Sequence, residues 1–203
     1  MAVRALRAGV VFGVLALLMG CAVSSMPQAT PEEIAAKTYV ADGAPKLTLF
    51  TVINNNTGSG GHTALMVSGS QRVIFDPAGS FFHADVAERG DVLFGMTPGW
   101  VQAYKGAHAR STYHVVSQEF VVSPEQAERA LQLVLSNGAV GNAFCTQSTS
   151  SILRQVPGFE DVKTTFYPAN LMRQLATRPG VVMNEYYEND AGDVRDGIIA
   201  AQS

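Results

Sequence analysis

The stretch GNAFCTQSTSSIL, residues 141–153, decides how the chain of 203 residues is interpreted. Its spacing predicts a helix from Cys145 to about Gln155, with Pro-Gly as terminator. A cysteine at the start of a helix lies in the positive field of the helix dipole, among N–H groups that lack helical partners. Both features favour the thiolate, so Cys145 is a candidate nucleophile. The alternative is a buried packing cysteine, which single cysteines usually are.

The residues after Cys145 are unusual for a plain packing helix. Thr146, Ser148 and Thr149 are weak helix formers that are tolerated near a first turn. We therefore expect them to line a polar cleft beside the thiol.

Residues 1–20 have the features of a secretory signal. Arg4 and Arg7 precede an apolar run that is too short to span a bilayer as a mature helix. The end of this segment, LMGC, resembles a bacterial lipoprotein signal box, in which the chain is cut before the cysteine and acyl chains are attached to it. The resemblance implies a lipid anchor at Cys21, and Ala22 after it implies the outer membrane, facing the periplasm. An ordinary cleaved signal or a signal anchor is the alternative.

Composition narrows the class of protein. Removing residues 1–20 leaves 12 basic residues of 14 against 17 acidic ones, a formal charge of −5, which argues against nucleic acid as a partner. About 180 residues remain, enough for one domain with its own core. If Cys21 is acylated, Cys145 has no partner within the chain, so its thiol is buried and inert, paired between molecules, or reactive.

The pattern of elements predicts an α+β domain with an antiparallel sheet over residues 46–190. An Ala-, Ser- and Pro-rich segment, residues 21–45, reads as a tether with a short helix near residues 31–37, and residues 191–203 as a polar tail. Strands are predicted at residues 46–54, 62–67, 72–75, 112–122 and 181–187. Helices are predicted at residues 100–108, 124–137, 145–155 and 168–177.

A nucleophilic cysteine needs a base, and His62 is the candidate. It opens a strand next to the Gly-rich loop NNTGSGG, and Asp76 ends the following strand. A hairpin centred near Gly69 brings the two residues opposite each other, where a carboxylate can orient an imidazole. The alternative is that Asp76 only begins the turn DPAG. The remaining histidines are expected to be structural or solvent-facing: His83, His108 and His114.

Together, GHTALMVSGSQRVIFDP and FCTQSTSSIL resemble the circularly permuted branch of the NlpC/P60 papain-like superfamily. This branch includes the lecithin–retinol acyltransferase type and envelope lipoproteins of the YiiX/YaeF type. The resemblance covers residues 46–156 and implies a permuted papain-like fold with Cys145 as nucleophile, His62 as base and Asp76 as orienting residue. Two departures are Asp in place of the frequent second His, and Phe144 where Asn usually precedes the cysteine.

The resemblance implies a cysteine hydrolase or acyltransferase that acts on amide or ester bonds, with cell-wall peptide or a lipid acyl group as substrate. The backbone N–H of Cys145 would help to bind the oxyanion, and Tyr113 or Ser59 could add a donor. A non-catalytic envelope lipoprotein that uses the domain for binding is the alternative, and a Cys145-linked dimer is a third possibility. Neither a metal nor a cofactor is expected, because the histidines are scattered and no Cys-x-x-Cys occurs.

Overall fold

The computed structural model describes residues 28–79 and 81–189. The signal segment, the proposed lipidation site Cys21 and the polar tail lie outside these residues. No helix within the described ranges is long and apolar enough to cross a membrane.

The predicted α+β class with an antiparallel sheet is confirmed. The described residues form seven strands: β1 (Lys46–Asn54), β2 (Gly60–Ser68), β3 (Arg72–Phe75), β4 (Glu88–Arg89), β5 (Val92–Phe94), β6 (Tyr113–Val121) and β7 (Val182–Tyr187). Within the same ranges there are five helices: α1 (Pro31–Ala36), α2 (Pro98–His108), α3 (Pro124–Asn137), α4 (Cys145–Leu153) and α5 (Pro168–Ala176).

The strands form one sheet in the order β4-β5-β3-β2-β1-β6-β7, and every pair is antiparallel. Sequence analysis did not find the short strands β4 and β5, because two or three residues are too few to show an alternating pattern. Strand β2 extends well beyond β3, since the last paired residues are Leu65 and Phe75. In the described part of the chain, no strand therefore pairs with the first residues of β2 on the β3 side.

The sheet is covered on both faces. Helices α3, α4 and α5 pack on one face, over buried residues such as Leu47, Leu65 and Phe75. Helix α2 packs on the other face, against Phe50 and Ile74 among others. Because side chains alternate along a strand, each residue of β2 is assigned to one of these two layers.

Helix α3 begins with a capping box in the sequence SPEQ, residues 123–126. The Ser123 side chain accepts a hydrogen bond from the backbone N–H of Gln126, and the Gln126 side chain accepts one from the backbone N–H of Ser123. This reciprocal pair satisfies two N–H groups at the helix start, which fixes where α3 begins.

The start of β2 lies against the start of α5, and Gly60 allows this approach. A Cβ atom on Gly60 would lie 2.4 Å from Cβ of Pro168 and 2.8 Å from the backbone nitrogen of Ala169. We expect Gly60→Ala to lower the free energy of unfolding by about 1–3 kcal/mol, because the backbones must separate. Urea unfolding measures the change.

The matched control is Gly99→Ala in α2, where the nearest atom to a new Cβ is 3.9 Å away. This control is expected to be neutral or slightly stabilising, since alanine favours the helix. Equal stabilities of the two variants would contradict the close packing of β2 on α5.

Candidate active site

Cys145 is the first residue of α4, as its sequence context predicted. The preceding residue, Phe144, provides no side-chain cap, so the first turn of the helix keeps its N–H groups for other acceptors. Cys145 is a free thiol and is 8% exposed. The nucleophile candidate therefore combines an uncapped helix N-terminus with a largely buried sulfur.

The Ser/Thr run does not line a polar cleft, which corrects the expectation from the sequence. Thr146, Thr149 and Ser150 are fully buried, and Ser148 is nearly so. The Oγ1 atom of Thr146 lies 3.0 Å from Oγ1 of Thr63 in β2, a hydrogen bond between the two hydroxyls. Three hydroxyls of this run, those of Thr146, Ser148 and Ser150, bind groups outside α4, and that of Thr146 joins the helix to the strand that carries His62.

Ser150 fastens the other side of the helix. Its hydroxyl donates to the backbone oxygen of Thr146 at 2.7 Å and accepts from the backbone N–H of Thr165 at 3.1 Å. The second bond holds the segment before α5 against α4. The position of the thiol is therefore set by buried polar contacts on both sides of its helix.

His62 and Asp76 meet as predicted, although by a different strand register. The β2–β3 pairing ends at Leu65 and Phe75, and the same register would place His62 opposite Ala78 rather than Asp76. Both side chains point to the α2 face, so Nε2 of His62 still donates to Oδ1 of Asp76 at 2.7 Å. The Asp76 side chain is only 3% exposed, which keeps this ion pair out of bulk water.

His62 also forms a hydrogen bond with Cys145, and this contact lowers the pKa of the thiol. Burial alone raises the pKa of the Cys145 thiol, but hydrogen bonding to His62, the charge of His62 and hydrogen bonds from Thr146 and the Thr63 backbone lower the pKa to about 7. Because Nε2 of His62 is engaged by Asp76, the ring presents Nδ1 to the sulfur. The Thr63 N–H can bind the thiol because, among the described residues, β2 is paired only with β1 at this point and not with β3.

The pKa of the His62 imidazole is shifted upward, in the opposite direction to that of the thiol. Burial lowers the pKa of His62, but the charge of Asp76 and its hydrogen bond outweigh this and raise the pKa to about 10. Burial raises the pKa of Asp76, and the charge of His62 reverses this, so the Asp76 pKa lies below its ordinary value. Between about pH 7 and 10 the site therefore holds three charged groups in a row: the Cys145 thiolate, the His62 imidazolium and the Asp76 carboxylate.

Two residues of this site were missed by sequence analysis, Tyr104 and His108 of α2. The fully buried Tyr104 donates its hydroxyl to Oδ1 of Asp76 at 2.6 Å. The His108 ring stacks on the His62 ring, with centroids 5.6 Å apart and planes 9° from parallel. The two residues are four apart on one helix face, but their partner strand is not predictable from the helix itself.

His83, His114 and Ser59 have partners outside the triad, whereas Tyr113 borders the site. His83 packs on Trp100, and Nδ1 of His114 lies 2.7 Å from Oδ1 of Asn55. Ser59 is hydrogen bonded to Thr57 at 2.6 Å. Tyr113 does border the site: with Gly61, His62 and His108 it lines a cavity of about 290 Å³.

The Asp76 carboxylate packs directly against Gly79, in space that a side chain at residue 79 would occupy. A Cβ atom at this position would lie 1.7 Å from Oδ2 of Asp76, so the carboxylate would have to move away. We expect Gly79→Ala to raise the midpoint of Cys145 alkylation from about pH 7 by at least one unit, because a displaced Asp76 no longer supports the charge on His62. Iodoacetamide labelling across pH, mapped to the Cys145 peptide, measures this. An unchanged midpoint would contradict the role assigned to Asp76.

Comparisons with protein-family models, curated proteins and solved structures found no match for this chain, so the case for its function is carried by the site geometry.

Proposed function

We propose that the protein is a cysteine hydrolase or acyltransferase that acts on amide or ester bonds through Cys145, His62 and Asp76. The observation that carries this proposal is the unbroken chain of contacts from the thiol to His62 and from His62 to Asp76. A nucleophile, a base and a group that orients the base are the three parts that covalent acyl transfer requires. Tyr104 adds a fourth group, which holds the carboxylate.

In the acylation step the Cys145 sulfur attacks the carbonyl carbon of the substrate. A C–S bond forms and the carbonyl electron pair moves to oxygen, which the N–H groups of the uncapped α4 N-terminus stabilise. When the tetrahedral intermediate collapses, the bond to the leaving amine or alcohol breaks. The leaving group takes the proton from Nδ1 of His62, and a thioester on Cys145 remains.

In the second step water or an acceptor hydroxyl attacks the thioester. His62, now neutral, takes a proton from the attacking oxygen, and the C–S bond breaks to release the acid or the new ester. The sulfur leaves as a thiolate, and the imidazolium beside it stabilises that charge. Asp76 remains ionised throughout and keeps the proton on Nε2 of His62, so that Nδ1 is the atom that exchanges protons.

The proposal includes the permuted papain-like arrangement and the envelope location. The chain order His62, Asp76, Cys145, with Cys145 at the head of a helix, supports the first. The lipoprotein-like segment ending at Cys21 supports an acylated anchor in a bacterial envelope, and both cell-wall peptides and lipid acyl groups would be accessible from there. Mass analysis of the N-terminal peptide of the membrane-extracted protein tests the anchor: a Cys21 peptide carrying acyl chains is expected.

The catalytic proposal is tested with an activated ester, p-nitrophenyl acetate. The expected result is one acetyl group on the Cys145 peptide by mass spectrometry, followed by its loss as the enzyme turns over. Cys145→Ser is the matched variant that should not release p-nitrophenol above the background rate. Acetylation of folded Cys145 no faster than that of the urea-unfolded chain would reject catalysis and favour a binding module instead.

A further inference from the structure

His108, the last residue of α2, has no part in the proposed reaction. Its ring is 5% exposed, and its Nδ1–H donates to the backbone oxygen of Tyr104 at 2.8 Å. The lone pair of the ring is therefore on Nε2, which is buried and has no hydrogen-bond partner among the residues that the structure describes. A buried polar atom without a partner costs about 1–3 kcal/mol, so its retention needs an explanation.

The groups around His108 explain why an unpartnered Nε2 is retained there. One ring nitrogen from each of His62 and His108 and a carboxylate oxygen of Asp76 all lie within 4.8 Å of one another. Two imidazoles and one carboxylate are a common ligand set for Zn²⁺. The bond from Nδ1–H of His108 to a backbone carbonyl is the outer-shell contact that orients zinc-binding histidines.

We infer that His62, Asp76 and His108 form a Zn²⁺ site that overlaps the acyl-transfer site. Tetrahedral zinc with bonds of about 2.0–2.1 Å holds its ligand atoms about 3.3 Å apart. The His62–Asp76 contact of 2.7 Å must open slightly for the ion to enter, and the more distant pairs must close by about 1.5 Å or less. The buried negative charge of Asp76 then faces the cation, and the unpartnered Nε2 of His108 gains a bond.

Zinc and catalysis exclude each other at this site. Coordination through Nε2 of His62 releases one proton and leaves the remaining proton on Nδ1, so the ring can no longer accept a proton. The zinc site is inferred from the unpartnered Nε2 of His108 and its position near His62 and Asp76, independently of the proposed reaction. Its consequence, inhibition of acyl transfer by zinc, rests on the proposed function.

The test is a Zn²⁺ titration of the EDTA-treated, dialysed full chain by calorimetry, with Co²⁺ absorption as a second probe. Wild type is expected to bind one equivalent at this site. His108→Phe keeps a buried ring but removes the ligand nitrogen, and is expected to weaken binding at least 30-fold. The matched control is His114→Phe, on a half-buried histidine of β6 that contacts Asn55 instead of the triad, with an expected change below threefold. His108→Gln is a second variant that retains a donor for the Tyr104 carbonyl.

Cys145→Ser separates this inference from the proposed function. The variant cannot form a thioester, yet it should bind Zn²⁺ within threefold of wild type because the sulfur is not one of the three ligands. Unchanged binding in a folded His108→Phe or His108→Gln chain, or loss of binding in Cys145→Ser, would overturn the zinc site. Neither result would bear on the proposed acyl-transfer function, which is tested separately by acetylation of Cys145 in the wild type.

Discussion

His62→Ala is expected to slow the release of the acetyl group from Cys145 by about 10²–10⁴-fold, because no base remains to take the proton from the attacking water. The thioester should therefore accumulate on the Cys145 peptide, where mass spectrometry measures its decay. His114→Ala, which removes a half-buried imidazole bonded to Asn55, is the control and should leave the decay unchanged.

The same variant should change the pH dependence of alkylation. In wild type the pKa of the thiol is about 7, and without the hydrogen bond and charge of His62 burial dominates and raises the pKa above the ordinary value. At pH 7 the thiolate fraction therefore falls, although the more basic thiolate that remains is more nucleophilic. The net result expected in EDTA-treated protein is slower alkylation of Cys145 than in wild type. Decay and alkylation rates equal to those of wild type would remove His62 from the mechanism.

Asp76→Ala is expected to lower the free energy of unfolding by about 3–5 kcal/mol. The change leaves the imidazolium of His62 without its counter-ion and the Tyr104 hydroxyl without its acceptor, both in a buried site. Urea unfolding measures the effect, and Asp85→Ala is the control, since that side chain is 70% exposed. A loss below about 1 kcal/mol would show that the pair is not buried as described.

The pH dependence of this loss has a defined sign. The pKa of Asp76 is lowered on folding, so its contribution is present above the unfolded value of about 3.9 and disappears as the pH falls through the folded pKa. The pKa of His62 is raised, so its contribution is complete below about 6.5 and disappears as the pH rises towards 10. The difference between wild type and Asp76→Ala should therefore be largest between about pH 4 and 6.5 and decline above this window.

Local sequence patterns predicted most of the secondary structure. The alternation in residues 46–54 and the capping box at Ser123 are local signals, and both elements occur where these signals lie. The start of α4 at Cys145 was predicted in the same way, because helix termini are encoded by nearby residues. The short strands β4 and β5 gave no such signal, since they form only by pairing with β3 and with each other.

The candidate triad was only partly predictable. His62 and Asp76 come from neighbouring strands of one hairpin, so a turn position is enough to bring them close even when the register is shifted by two residues. The Ser/Thr run of α4 misled the interpretation, because hydroxyl groups that bond to a strand and a loop are as buried as apolar ones. Burial of a polar residue depends on its partners, which a single sequence does not name.

By itself the sequence determined which residues could act: a lone thiol heading a helix, an imidazole beside a Gly-rich loop and a carboxylate one hairpin away. Only the tertiary structure decided which groups surround them. Helix α2 crosses the sheet face that carries His62 and brings Tyr104 to Asp76 and His108 to the His62 ring. The reason is physical: local rules fix the elements, whereas the contacts of α2 depend on how distant apolar faces pack together.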